Sequence, residues 1–370
     1  MDRPGIRSII VHSPHSGRSH QLAQAQAQLL KMGIEIVKTI AIAELDNLPS
    51  QGTNWAQSGI DVAIAAGGDG LVGGVINHVA ESNLPLGILP LGTSNDIARS
   101  LKIPLNIEQA AEVIAQGKVQ GVDIGMAQPA EQAPHAASAD QRGPIVAHVG
   151  KQKHGFFAHA LTVGLNVQFA RIATNVATRQ RFGRLTYPFA ALEVLRNHDP
   201  LDVELQFDDL ALPQSRAKAK EVSDEQTTAL AAAEKPPALR CRALQVAVIN
   251  APIFGGQWQL TIPDASLRDR LLDIVVIEEI ELGRLSTRLA HLFGQKVNGD
   301  EPGPANEEYE ATRHPGELTG IPGIHHVQAK GVVITSNIDP RDATLDGEVR
   351  GQTPMHVHIA DQQLRVLVPR

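Results

Sequence analysis

The stretch from Val62 to Val79, VAIAAGGDGLVGGVINHV, restricts what this chain can fold into more than any other. Val62 to Ala66 is a short run of small and apolar residues, which suits a buried strand and is too short for a core helix. Gly67 and Gly68 break that run. Asp69 and Gly70 follow, and Val72, Val75, Ile76 and Val79 then recur at helical spacing. A strand, a glycine turn and a helix start aim backbone N–H groups at an anion at the positive end of a helix dipole. Glycine suits the turn because it tolerates positive φ and lets a phosphate come close to the backbone. A carboxylate at Asp69 would repel a bare phosphate. It fits if a divalent cation lies between the two, or if Asp69 handles a proton. The plainer alternative is an ordinary strand-to-helix turn of an α/β domain.

The same alternation extends to both sides. Ile6 to Val11 reads as a strand, followed by the loop HSPHSGRS, in which Ser13, Ser16 and Gly17 could wrap a phosphate or a ribose or simply turn the chain. A helix over Gln21–Met32 and a strand over Ile34–Ile40 come next, then a helix or loop before Val62. After the central helix, Leu86 to Leu89 is a short strand stopped by Pro90, and Gly92-Thr93-Ser94-Asn95-Asp96 opens another helix. Helix capping accounts for one or two of those four polar residues. Four in a row after a glycine suggest a second wall of one crevice, at the carboxyl ends of the strands of an open α/β sheet.

Beyond Val119 the pattern becomes one of short strands: Ile145–Val149, Phe156–Gly164, Leu201–Phe207, Leu244–Asn250, Gln257–Ile262, Leu272–Glu278, Gly331–Ser336, Met355–Ile359 and Leu364–Val368. Their number and spacing suggest an antiparallel sandwich. Helical stretches at Pro188–Arg196 and Leu282–Lys296 interrupt it, and residues 127–144, 214–238 and 298–323 read as flexible insertions. With 370 residues, two domains are favoured. Aromatic residues make up only 3% of the chain, so the cores are aliphatic and base-stacking platforms are not expected; with a net charge of −7, nucleic acid is not an expected partner. Cys241 is the single cysteine, which rules out an intrachain disulfide and a cysteine-based metal centre. The amino terminus has no signal-like apolar segment, and no run approaches a membrane span. A cytoplasmic protein, peripheral at most to the inner membrane face, is expected.

GGDG (Gly67 to Gly70), LGILPLGTSNDIAR (Leu86 to Arg99) and the distal DGE (Asp346 to Glu348) together resemble the catalytic domain of diacylglycerol, sphingosine and related bacterial lipid kinases. SPHSG is similar to that family's first nucleotide loop, with Ser13 where asparagine is usual. NAPIFGG (Asn250 to Gly256), PDA (Pro263 to Ala265) and LLD (Leu271 to Asp273) resemble its second-domain signatures. GGDG alone is weak, because NAD kinases and phosphofructokinases carry it; the PLGTSND run with a distal DGE is far more specific. The resemblance implies a three-layer Rossmann-like nucleotide-binding domain over residues 1–121, of the NAD kinase and phosphofructokinase type. An antiparallel β-sandwich lipid-binding domain over 122–359 follows, with residues 360–370 available to pack back on the first.

It also implies ATP and Mg²⁺ as cofactors and a lipid substrate at the membrane surface. Ser13, Ser16, Gly17, Gly67, Gly68, Asp69, Gly70, Gly92, Thr93, Asn95 and Asp96 would form the nucleotide site. Asp346 would be the general base, Glu348 would act on the metal or orient the base, and Asp69 and Glu348 would be the metal-side carboxylates. On a strand-like segment, Asp346 and Glu348 would face the same side; on a tight turn the pair would simply be solvated. Four further positions depart from the family pattern: Leu71 stands in place of threonine (as in sphingosine-kinase-like members), Gly74 in place of a glutamate, His78 in place of a glycine near the middle of the same helix, and Arg270 in place of a glycine.

Other constellations were weighed. His325-His326 are adjacent and cannot share a strand face, and His356 and His358 alternate without an obvious third ligand, so both pairs read as structural or exposed. The arginines between Arg171 and Arg196 read as a solvated helix face or as a contact for an anionic membrane. The functions in competition are an ATP-dependent kinase of a diacylglycerol-like or sphingoid lipid, an NAD-kinase-like enzyme, and a catalytically weak nucleotide- or lipid-binding regulator. A homodimer is compatible with the sequence, but no feature argues for one.

Overall fold

The computed structural model describes residues 5–14, 18–45, 48–130, 155–165, 200–211, 237–254, 260–262, 264–279 and 323–370. The first part alternates strand and helix: β1 (Ile6–His12), α1 (Leu22–Lys31), β2 (Ile34–Ala41), α2 (Gly52–Gln57), β3 (Val62–Gly67), α3 (Asp69–Val79), β4 (Leu86–Pro90), α4 (Asp96–Ser100), α5 (Ile107–Gln116) and β5 (Lys118–Val122). β3 and β4 are buried along their whole length, as expected of parallel strands covered on both faces. α5 has an amphipathic pattern and is capped by Asn106, whose side chain accepts the Gln109 N–H at 3.1 Å.

The remainder is antiparallel: β6 (Gly125–Pro129), β7 (Gly155–Phe157), β8 (Ala160–Gly164), β9 (Leu201–Ala211), β10 (Ala238–Ile249), β11 (Ile253–Phe254), β12 (Leu260–Thr261), β13 (Leu272–Glu278), β14 (Ile324–Ser336), β15 (Asp342–Leu345), β16 (Glu348–Gln352) and β17 (Met355–Ile359), before β18 (Leu364–Val368). β10 and β14 are long enough to change partners along their length. The first half of β10 pairs with β9 and the second with β8 and β13; β14 pairs first with β13 and then with β9 and β17. Two strands shared between layers give a sandwich with its own aliphatic core, including Phe157, Leu205, Val246, Ile274 and Val332.

The first sheet has the order β2-β1-β3-β4-β18-β5. β18 lies parallel to β4 and antiparallel to β5, so residues near the end of the sequence form an internal strand of the first sheet. The order reverses between β1 and β3, which puts a topological switch point, the usual crevice of an open α/β sheet, beside the Gly67 turn. α3 has eight of its eleven residues buried: Leu71, Val72, Gly73, Gly74, Val75, Ile76, His78 and Val79. A helix apolar on all sides has to be covered on all sides. Here β3 backs one face, and β7 with the β15–β16 hairpin covers the other.

Several expected elements differ in extent. Phe156–Gly164 is two strands, broken at Ala158 and His159. The expected insertion at 127 begins later, because β6 continues to Pro129 against β17. β10 starts at Ala238, earlier than the apolar run suggested, because its first residues are held by β9. Ile145–Val149, both expected helical stretches of the second half, the arginine-rich stretch and most of each expected insertion lie outside the described residues.

Candidate active site

Three strand ends converge on the crevice. Ser13 follows β1, the Gly67–Gly70 turn follows β3, and the Gly92–Asp96 turn follows β4. The two glycine turns touch through their backbones. A Cβ built on Gly92 would lie 2.3 Å from the Cα of Gly68, so a side chain at Gly92 has no room. Asp69 sits in the first turn of α3, and its Oδ1 accepts the Ile97 N–H of α4 at 2.9 Å, tying the two turns together. Among the described residues its Oδ2 makes no hydrogen bond.

Asn95 takes up a left-handed conformation with φ 54°. Its side-chain amide is used within its own turn: Oδ1 accepts the Gly92 N–H and Nδ2 donates to the Gly92 carbonyl, both at 2.9 Å. Asn95 therefore shapes the loop, and Asp96 behind it is buried. On the other side, the Arg18 N–H donates to the Leu91 carbonyl at 2.9 Å, and its guanidinium donates to the carbonyls of Pro90 and Leu105. Arg18 thus fastens the first loop to the third. Ser16 and Gly17 lie outside the described residues.

The DGE segment forms a tight turn, one of the two conformations its sequence left open. Leu345 pairs with Glu348, leaving Asp346 and Gly347 as a two-residue hairpin loop, with φ of 48° and 87°. Positive φ at both central residues is what a type I′ hairpin requires, and Asp-Gly is among its preferred sequences. This turn, and not strand alternation, brings both acids to α3. A Cβ on Gly70 would lie 3.3 Å from Glu348 Oε1, and one on Gly73 would lie 2.5 Å from Asp346 Oδ2. Asp69, Asp346 and Glu348, distant in sequence, therefore meet along the first two turns of α3.

The two hairpin acids have opposite surroundings. Glu348 is about half exposed and forms an ion pair with Arg350. Asp346 is 6% exposed. Its Oδ2 accepts the Ala158 N–H at 2.9 Å, and its Oδ1 accepts those of His159 at 2.8 Å and Ala160 at 3.2 Å. Burial pushes its carboxyl above the ordinary aspartate range, and these three donors together with the nearby His159 offset that only in part. With about four lone-pair positions on a carboxylate and three of them filled, Asp346 keeps room for one more hydrogen bond.

The diacylglycerol kinase catalytic domain matches residues 7–127, and the YegS C-terminal NAD kinase beta sandwich-like domain matches residues 160–301. The chain belongs to the diacylglycerol kinase-like family of lipid kinases. A diacylglycerol kinase of Staphylococcus saprophyticus is 25% identical over 98% of this chain and 95% of its own length. One of Staphylococcus epidermidis is 24% identical over 98% and 92%. A crystal structure of a diacylglycerol kinase from Bacillus anthracis shares the fold, with a TM-score of 0.57 at 18% identity over 99% of this chain and 98% of that one. An ATP-dependent kinase acting on a lipid is therefore the reaction class of this chain, and the nucleotide unit with its antiparallel sandwich is its fold.

Within this lipid kinase, three of the departures from the family pattern have a clear physical setting. Leu71 packs back on the β3 terminus, where a Cβ at Gly67 would lie 2.7 Å from its Cδ2. Gly74 faces Ile42 and the Arg350 guanidinium, so the space of the usual glutamate adjoins an arginine that Glu348 already neutralises. Arg270 has φ 62°, a conformation that explains why glycine is usual there. Its backbone N–H donates to Asp123 Oδ2 at 2.8 Å and its guanidinium lies 3.4 Å from Oδ1.

Three of the four paired histidines of the kinase meet acids of the sandwich. His325 meets Glu278 at 2.8 Å and His326 meets Asp273 at 2.7 Å, on opposite faces of β14, while His356 meets Asp208 at 2.7 Å. No group of three metal-ligating side chains exists among the described residues. Sequence reasoning missed Arg18, Asn77 and Arg350. Arg350, two residues beyond the DGE, was the one with a local signal.

Proposed function

We propose that this kinase transfers the γ-phosphoryl group of ATP to a hydroxyl of a diacylglycerol-like or sphingoid lipid. In this reading residues 1–121 hold the nucleotide and 122–359 the lipid, and the chain works at a membrane surface, peripheral to the inner face. The observation that carries it is the seating of the Asp346 hairpin on α3, the helix whose first turn is the GGDG segment.

The nucleotide set comprises Ser13, Ser16, Gly17, Gly67, Gly68, Asp69, Gly70, Gly92, Thr93, Asn95 and Asp96. The Gly68–Gly92 backbone contact supports it, because a cradle that excludes side chains leaves main-chain N–H groups for phosphate oxygens. Asn95 would serve by holding its turn. Asp69 and Glu348 would hold Mg²⁺: among the described residues Asp69 Oδ2 makes no hydrogen bond, and Glu348 Oε1 lies beside Gly70, the next residue of α3. Such an ion would neutralise charge on the triphosphate. Asp346 would take the proton of the lipid hydroxyl as the new P–O bond forms and ADP departs. A buried carboxylate with a raised proton affinity and one open position suits that task.

The test is transfer from γ-labelled ATP to a panel of diacylglycerol, sphingosine, phosphatidylglycerol and NAD. Label on a lipid supports the reading. Label on NAD alone overturns it, and nucleotide binding without any labelled acceptor would make the chain a regulator.

A further inference from the structure

Ala158 and His159 lie in the break between β7 and β8, so no strand ladder fixes the peptide groups that point at Asp346. Something else must hold them. The side chain of Asn250, 0% exposed, donates through Nδ2 to the carbonyls of Ala158 and Asp123, each at 2.8 Å. Its backbone N–H donates to the His159 carbonyl at 2.9 Å, joined by that of Ala251 at 3.1 Å. In a trans peptide the C=O and the following N–H point in opposite directions. Drawing the Ala158 carbonyl towards Asn250 therefore aims the His159 N–H away from it, at Asp346 Oδ1. Drawing the His159 carbonyl the same way aims the Ala160 N–H at that same oxygen. Upstream, Asn77 of α3 holds Phe156 in both senses: Nδ2 donates to its carbonyl at 2.9 Å and Oδ1 accepts its N–H at 2.8 Å.

We infer that Asn250 is a positioning residue of the phosphoryl transfer, aiming the backbone donors that orient Asp346, with Asn77 fixing the start of the same segment. The inference rests on the assignment of Asp346 as the base. A purely structural choice at position 250 is disfavoured by the asparagine's own chemistry. Among the described residues its Oδ1 is buried without a hydrogen-bond partner, and an unmade buried hydrogen bond costs stability. The cost is borne while Nδ2 joins the segment after β5 to the β7–β8 break beside Asp346.

The test follows full-length Asn250→Ala with ATP and a short-chain diacylglycerol in detergent micelles, in the wild-type and in the Asp346→Asn background. kcat should fall about tenfold while ATP affinity stays within about twofold. In the Asp346→Asn background, where there is no carboxylate left to aim, Asn250→Ala should cost little further turnover. Losses that simply multiply in the double variant, or an unchanged kcat beside a lowered Tm, would overturn the inference. If Asn250→Ala does not fold, Asn77→Asp takes its place: it can still accept from Phe156 but cannot donate to it, and a smaller fall in kcat, again absent from the Asp346→Asn background, is expected. Retention of turnover by Asp346→Asn would instead overturn the base assignment itself.

Discussion

Gly73 of α3 and Asp346 of the distant hairpin are in such close contact that a methyl group at Gly73 would lie 2.5 Å from Asp346 Oδ2 and 2.8 Å from its Cβ. In an open helix, glycine-to-alanine substitution is favourable by about 0.5–1 kcal/mol. Here Gly73→Ala should do the reverse and push the hairpin off the helix. Turnover is expected to fall about ten- to a hundredfold with ATP affinity nearly unchanged. Steady-state kinetics beside nucleotide titration would check this; unchanged kcat would mean that the contact is slack.

Asp346 also sets opposite pH trends for activity and stability. Burial raises its carboxyl, with backbone N–H groups opposing. As a base it must be ionised, so kcat should rise with pH along a limb above the ordinary aspartate value of about 3.9. For stability the native state holds the proton more tightly than the unfolded chain. The stabilisation from this group is complete below about pH 3.9 and is lost as pH rises through the raised value. Asp346→Asn should cut turnover about a hundred- to ten-thousandfold while retaining ATP, and should remove the limb. Rate profiles and urea titrations across pH would show both trends.

The Gly68–Gly92 contact leaves no space for a methyl group. Gly92→Ala should destabilise the first domain by about 1–3 kcal/mol and raise the apparent Kd for ATP at least tenfold. Calorimetric ATP titration alongside thermal melting would separate the two effects. Wild-type affinity in a folded variant would remove Gly92 from the nucleotide site.

Arg270 combines backbone strain with an ion pair to the wholly buried Asp123. Arg270→Gly relieves the strain and loses the pair, whereas Arg270→Ala loses the pair and keeps the strain. The stability order should be arginine, then glycine, then alanine, with the last two about 1 kcal/mol apart. Denaturant unfolding would give the order, and alanine above glycine would contradict it.

Much of the first domain was legible because a buried parallel strand, a glycine turn and a helix leave a local signature, and β13, β17 and β18 matched their apolar runs. The hairpin stayed open between a strand-like segment and a tight turn, because alternation of the two acids around one glycine suits the first and Asp346-Gly347 the second. Asn77 lay within a helix read only for its apolar face. Its partner Phe156 is 79 residues away, and no local pattern reports such a bond. Arg270 was noted as a departure, but its compensation by Asp123, 147 residues away, becomes visible only in the folded chain.

The placement of β18 between β4 and β5 has a consequence for biosynthesis. At typical elongation rates, the roughly 240 residues that separate β5 from β18 take on the order of ten to fifty seconds to emerge. Throughout that interval the nascent parallel sheet has an empty slot beside β4, and the ribosome must deliver the whole antiparallel half before the slot can be filled.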